Sequence, residues 1–161
     1  MTAALAGPAR HARVVLAPGA TLIEAISDVM AGLGWASATL LLLGGPMARA
    51  VYHTSMLTPR GPRWIDYGPP QDVVPAPWLV MGSATFGPGL DGSAALHCHA
   101  MLTGGGGPVG GPVGSPVGGH LSPHLCVLGP DGLVAHATSA EAAGFQVRRD
   151  LASGFDLLTP A

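Results

Sequence analysis

The sequence contains no lysine and no asparagine, and charged residues make up only 10% of its 161 residues. A typical soluble domain has about 25% charged residues. So low a charge content excludes a disordered polyelectrolyte, which combines high net charge with little apolar content. The formal net charge of -2 also gives the chain no overall basic field that would attract nucleic acid.

Cysteine is equally scarce, since Cys98 and Cys126 are the two in the sequence. Two cysteines are too few for a disulfide-stapled secreted scaffold of this length, so we expect reduced thiols in a cytoplasmic protein. Residues 1–9 lack the positively charged region that opens a secretory signal. Residues 29–48 are uncharged and have the length of a membrane span, but glycines and Pro46 divide them into a helix end and a strand. We therefore expect no membrane segment.

The patterns predict an α+β fold: a mainly antiparallel sheet of about seven or eight short strands packed on one main helix. Thr21 and Glu24 form a capping box, and apolar residues follow it at helical spacing until Gly32 and Gly34. Apolar runs bounded by glycine and proline predict the strands. Ten runs are candidates, of which 117–128 and 132–138 are the weaker ones: residues 11–17, 35–43, 48–55, 64–67, 78–86, 94–102, 117–128, 132–138, 144–149 and 154–158.

We expect one domain over residues 11–158, preceded by an N-terminal extension over residues 1–10. Within it, residues 104–118 are of low complexity and repeat the unit Pro-Val-Gly at a period of four. Such a run offers no side-chain pattern for a packed core. It predicts a flexible loop between two strands.

Histidine is abundant, with seven residues, and its spacing is informative. His97 and His99 alternate with Cys98, so on a strand both imidazoles project from one face. The glycine-rich loop returns the chain beside that strand at His120, and His124 follows four residues later. Three imidazoles with an open position are typical of a zinc site, and imidazole also suits iron, nickel and copper. The alternative is a polar patch or a subunit interface. His11, His53 and His136 are expected to be surface or hydrogen-bonded histidines.

Several segments resemble the PPC domain (plants and prokaryotes conserved), which accompanies AT-hook motifs in plant nuclear proteins and stands alone in prokaryotes. They are Leu-His-Cys-His-Ala at 96–100, Val-Gly-Gly-His-Leu at 117–121, Gly-Phe-Asp-Leu-Leu at 154–158 and Leu-Ala-Pro-Gly at 16–19. The resemblance implies a homotrimer of α+β subunits. In some prokaryotic members it also implies a divalent transition metal, zinc above all, held here by His97, His99 and His120.

The sequence departs from the family in three places. The 104–118 loop is long where the family has a short turn, and Ser-Pro-His at 122–124 replaces a smoother strand. Glu141 is only a loose match to the acidic residue expected further on, so it and His124 are additional candidate site residues. The AT-hook is missing, because residues 59–63 lack its Arg-Gly-Arg-Pro core.

Three functions follow from these observations. The first is a metal-binding trimeric module, for which a regulatory role is one reading. The second is DNA binding, as the family is often labelled, although the missing AT-hook and the net charge of -2 argue against it. The third is a metal-dependent enzyme acting on a small molecule, which would need a general base beside the metal.

Overall fold

The computed structural model describes residues 8–57, 65–104, 116–140, 144–151 and 155–160. In this part of the chain one helix, α1 (Leu22–Leu33), accompanies thirteen short strands. The strands are β1 (Ala9–Leu16), β2 (Ala38–Arg49), β3 (Val51–His53), β4 (Ser55–Leu57), β5 (Ile65–Tyr67), β6 (Gln71–Asp72), β7 (Trp78–Pro88), β8 (Ala94–Thr103), β9 (Val117–Leu121), β10 (Val127–Leu128), β11 (Leu133–Ala140), β12 (Phe145–Arg149) and β13 (Asp156–Pro160). The predicted class, α+β with a mainly antiparallel sheet, is confirmed.

One large sheet carries most of the strands, in the order β1-β11-β2-β7-β8-β9-β3-β6, with β10 also paired to β2. All of its pairs are antiparallel. The remaining strands form two hairpins, β4-β5 and β12-β13. The sheet thus places β8 and β9, which carry the predicted ligands, next to each other.

The structure corrects the predicted strand number and several strand boundaries, and the run 48–55 is divided among β2, β3 and β4. The strand expected over residues 35–43 begins at Ala38 and continues to Arg49, because Gly45 and Pro46 pair with β7 instead of turning away. The run 117–128 is two strands, since a turn over residues 123–125 separates β9 from β10. Of the predicted loop 104–118, residues 105–115 lie outside the described part of the chain, and β9 starts at Val117.

Helix α1 forms as the sequence indicates. The Thr21 hydroxyl accepts a hydrogen bond from the Glu24 backbone N–H, and the Glu24 carboxylate accepts from the Thr21 backbone. Gly34 ends the helix in the left-handed conformation, at φ 66°. With 12 residues, this helix is too short to cross a bilayer, and the described residues contain no other helix.

The two faces of the large sheet differ sharply. Its inner face and the buried side of α1 contribute to one hydrophobic cluster, which includes Ile26, Leu42 and Cys98. Residues that pair directly across strands share a face. One such row crosses the outer face through Arg13, His136, Leu41, Ser83, His99, His120 and His53. The predicted ligands therefore lie on the side of the sheet opposite the core.

Candidate metal site

Strands β8 and β9 bring three histidines together on the outer face. His99 pairs with His120 across the two strands, and His97 lies one pleat repeat from His99. One ligand nitrogen from each of these residues lies within 4.8 Å of the other two. The Nε2 atoms of His97 and His99 are 3.0 Å apart. We call His97, His99 and His120 the histidine triad.

The two glycines before His120 allow this close approach. A Cβ at Gly119 would overlap the carbonyl oxygen of His53 on β3, and one at Gly118 would crowd the carbonyl oxygen of Ala100 on β8. Strand β9 therefore runs close against both neighbours only because these positions lack side chains. The Gly-Gly-His motif is thus a geometric requirement for placing His120 beside His99.

The electrostatics of the triad suit a cation. Burial lowers the pKa of His120 to about 4, helped by the neighbouring imidazoles His97, His99 and His53. Burial and His99 also lower the pKa of His97. Imidazoles that stay neutral present lone pairs to a metal. The three nitrogen donors therefore fit a divalent transition metal.

Cys98, between the two β8 ligands, belongs to the opposite face. Its side chain is fully buried in the core, and burial raises its thiol pKa to about 12. A thiol in that state is neither a ready ligand nor a nucleophile. The predicted alternation of His97, Cys98 and His99 across the strand is confirmed.

Tyr67, which the sequence analysis did not single out, completes the surroundings of the triad. Its ring stacks on the imidazole of His120 at 4.6 Å between centroids, and its hydroxyl lies 3.5 Å from the Nδ1 atom of His120. Burial, and then the charge of Asp66, raises the pKa of the phenol. Tyr67 orients His120 from a short strand far away in sequence, and no spacing signal pointed to it.

The other histidines are not members of the triad, although His53 pairs with His120 across β3 and β9. His53 Nδ1 is 2.8 Å from the Gly68 carbonyl oxygen and its Nε2 is 2.8 Å from the Ser122 hydroxyl, so this histidine is hydrogen-bonded as expected. His11 bonds to Thr138, and His136 is exposed on β11.

Of the two additional candidates, His124 lines a depression together with His120 but is not among the three histidines whose nitrogens converge. His124 lies in the exposed turn after β9, where it lines a depression with Glu24 of α1. The same turn docks on the start of the helix through hydrogen bonds from Leu22 and Ile23. Glu141 lies outside the described residues.

A cavity of about 410 Å³ opens beside the triad. His97 and His120 line it together with Tyr67, and the β12-β13 hairpin contributes Arg149 and Asp156. Arg149 Nη1 donates to Asp156 Oδ1 at 2.9 Å. The segment 154–158, part of the family resemblance, thus helps to line this cavity.

The triad predicts a pH dependence for the stability of the metal-free protein. The pKa of His120 is about 4 in the folded state against 6.5 for an ordinary histidine, so the unfolded state takes up its proton first. The contribution of His120 to the free energy of unfolding should be fully present above pH 6.5, and the free energy of unfolding should fall as the pH drops toward 4. Urea unfolding at several pH values checks this. The free energy of unfolding of His120→Asn should fall less steeply with pH than that of the wild type, and that of His136→Asn should fall as steeply as the wild type. A His120→Asn curve as steep as the wild type would contradict it.

No family model matches the sequence, and no curated protein matches it either. Solved structures do match in fold. A PPC protein from Pyrococcus horikoshii has a TM-score of 0.63 at 15% identity, covering 94% of this chain and 92% of its own. A metal-containing protein from Archaeoglobus fulgidus has a TM-score of 0.64 at 16% identity, covering 94% of this chain and 93% of its own.

A third structure, from Ralstonia eutropha, is described provisionally as a DNA-binding protein. Its TM-score is 0.65 at 14% identity, and the match covers 91% of this chain and 88% of the other. These identities support likeness of fold, and the likeness extends over nearly the whole of each chain. The chain therefore has the fold of the plant- and prokaryote-conserved (PPC) proteins.

Proposed function

We propose that the protein binds one divalent transition-metal ion per chain through His97, His99 and His120, and that the ion is zinc. The observation that carries this proposal is the convergence of three imidazole nitrogens within 4.8 Å on the outer face of the sheet. The metal-containing neighbour from Archaeoglobus fulgidus supports it. Calorimetric titration of metal-free protein with Zn²⁺ at pH 7 should give one site per chain, and no binding heat at any temperature tested would contradict it.

The triad histidines differ in burial, and Tyr67 supports one of them. His97 and His120 are half-buried, whereas His99 is exposed in the single chain. Tyr67 holds the ring of His120 in place by stacking. A bound divalent ion would supply positive charge and Lewis acidity at the outer face. Such a site is compatible with a regulatory module and with a metal-dependent enzyme. The cytoplasmic location stays a prediction.

We further propose that the protein is a homotrimer whose contacts include the outer face beside the triad. Leu41, Met81 and Met101 are 43%, 51% and 41% exposed there. They line one depression together with His99. Apolar side chains gathered on one face mark an interaction surface, and interface cores are poor in charge, which agrees with the low charge content of the chain.

Sedimentation equilibrium tests the trimer. The wild-type protein should have three times the 16.1 kDa mass of one chain. Met101→Glu, which puts a charge into the apolar depression, should shift the mass toward that of a single chain. Leu151→Glu is the matched control, because Leu151 is 92% exposed and does not line this depression. A wild-type mass of one chain, or a Met101→Glu variant that still forms trimers, would contradict the proposal.

DNA binding is the second candidate, supported by the provisional description of the Ralstonia eutropha protein. The charges of this chain argue against DNA binding. Arg49 and Arg149 are each paired with an aspartate, and the net charge is -2. Affinity for nucleic acid comes largely from neutralising phosphates, so seven arginines against nine acidic residues predict weak binding. A mobility shift of random duplex at low salt and micromolar protein would favour this candidate.

A further inference from the structure

The cavity beside the triad has the size and lining of a small-molecule site. Its volume of about 410 Å³ falls within the roughly 300–1,000 Å³ typical of ligand pockets. Its polar groups are few and come from separate elements: His97 on β8, His120 on β9, Tyr67 on β5, Arg149 on β12 and Asp156 on β13. Its apolar wall is formed by Ala95, Leu96, Val147, Phe155 and Leu158. A few polar groups set against an apolar wall indicate an amphipathic ligand.

The charges favour a ligand that is an anion. Neutral imidazoles add no negative charge, so a divalent ion on the triad would keep its full positive charge. Among the described residues that line the cavity, Asp156 is the one carboxylate, and it is paired with Arg149. The pair adds no net charge, so the metal-loaded cavity is cationic. An anionic group on the ligand would compensate it.

Arg149 is positioned to change partners. Its guanidinium contacts Asp156 through one nitrogen and one oxygen, and both side chains are about half exposed, at 52% and 45%. Exposed ion pairs of this kind contribute little to stability, so exchange for a ligand carboxylate costs little. The planar guanidinium also matches a carboxylate in shape and can hold it through two hydrogen bonds.

We propose, on the basis of the metal site above, that this cavity binds a small organic carboxylate with an apolar body. The carboxylate would engage Arg149 and the cationic triad, with Tyr67 beside them. The body would lie against the apolar wall formed by Ala95, Val147 and Phe155. Arg149 and Tyr67 are therefore binding residues for the ligand, and Asp156 competes with it for the guanidinium.

Calorimetric titration of the zinc-loaded protein with benzoate tests this directly. Arg149→Gln should raise the benzoate Kd roughly tenfold, the effect of losing a hydrogen bond to a charged group. Asp156→Asn should lower it roughly threefold, because the competing carboxylate is gone. Arg13→Gln is the matched control, since Arg13 lies on the distant edge strand β1, and it should leave the Kd unchanged.

The two variants should change the benzoate Kd in opposite directions, and this distinguishes a binding role of Arg149 from a purely structural role of the ion pair. If the ion pair served only to hold the hairpin, breaking it from either side would change the Kd in the same direction, and that result would overturn the proposal. Benzyl alcohol, which lacks the charge, and inorganic phosphate, which lacks the apolar body, should both bind more weakly than benzoate. Phosphate binding as tightly as benzoate would overturn the carboxylate assignment.

Failure of this inference is distinguishable from failure of the metal site. The zinc titration is done first on the same preparation. Uptake of one zinc per chain without benzoate binding would overturn the carboxylate proposal and leave the metal site standing. No zinc uptake would overturn both.

Discussion

Zinc added to the metal-free protein is expected to raise its free energy of unfolding by about 2.7 kcal/mol when free zinc is a hundred times the Kd. The triad exists only in the folded state, because His97 and His99 are brought to His120 by the pairing of β8 with β9. A ligand that binds only the folded state stabilises it by mass action. Thermal unfolding of the metal-free protein, with and without Zn²⁺, measures the effect.

His99→Ala should remove this stabilisation. Residues that merely orient a metal ligand contribute about 10–100-fold in affinity, so loss of a ligand itself should cost more than roughly a hundredfold. His99 is exposed and outside the core, so the variant should fold. His136→Ala is the matched control, because His136 is also exposed and lies in the same row on the outer face. Equal zinc stabilisation of His99→Ala and wild type would contradict the site.

The second large effect is expected from Gly119→Ala. The added methyl group would overlap the carbonyl oxygen of His53, which is backbone and cannot rotate away. Strand β9 must then move from β3, taking His120 with it. Overpacking of this kind typically costs about 1–3 kcal/mol. We expect a loss of stability in this range and a zinc affinity at least roughly tenfold weaker, because the triad loses its spacing.

Gly32→Ala is the matched control for this substitution. A Cβ at Gly32, near the end of α1, meets no atom within 4 Å. Alanine in a helix is better than glycine by roughly 0.5–1 kcal/mol, so this variant should be slightly more stable and bind zinc normally. Urea unfolding and zinc titration of both variants give the comparison. A Gly119→Ala protein with unchanged stability and zinc affinity would show that β9 is not constrained by its neighbours.

The sequence predicted those parts of the fold that depend on nearby residues. The capping box of Thr21 and Glu24 and the stop at Gly34 are local interactions, and the helix has these bounds. The alternation of His97, Cys98 and His99 fixes which face each side chain takes. The placement of His120 beside His99 also followed, because a loop that returns the chain to the neighbouring strand brings the two within reach.

Features that depend on distant residues were not predictable. The continuation of β2 through Gly45 and Pro46 depends on β7 offering partners there. Tyr67 reaches His120 from a segment 53 residues earlier. The cavity needs the β12-β13 hairpin, which packs on β7, to lie next to the triad, and no local pattern specifies that placement. Segment 154–158 did carry a signal through its family resemblance, but the sequence did not connect it with the triad.

Elemental analysis of untagged protein, expressed as metal atoms per chain, tests the central claim most directly. Wild-type protein purified near neutral pH and dialysed should contain one transition-metal ion per chain, and a variant with all three triad histidines changed to alanine should contain none. Wild-type protein that holds no metal even after incubation with Zn²⁺ would contradict the claim. So would a triple variant that keeps the wild-type content.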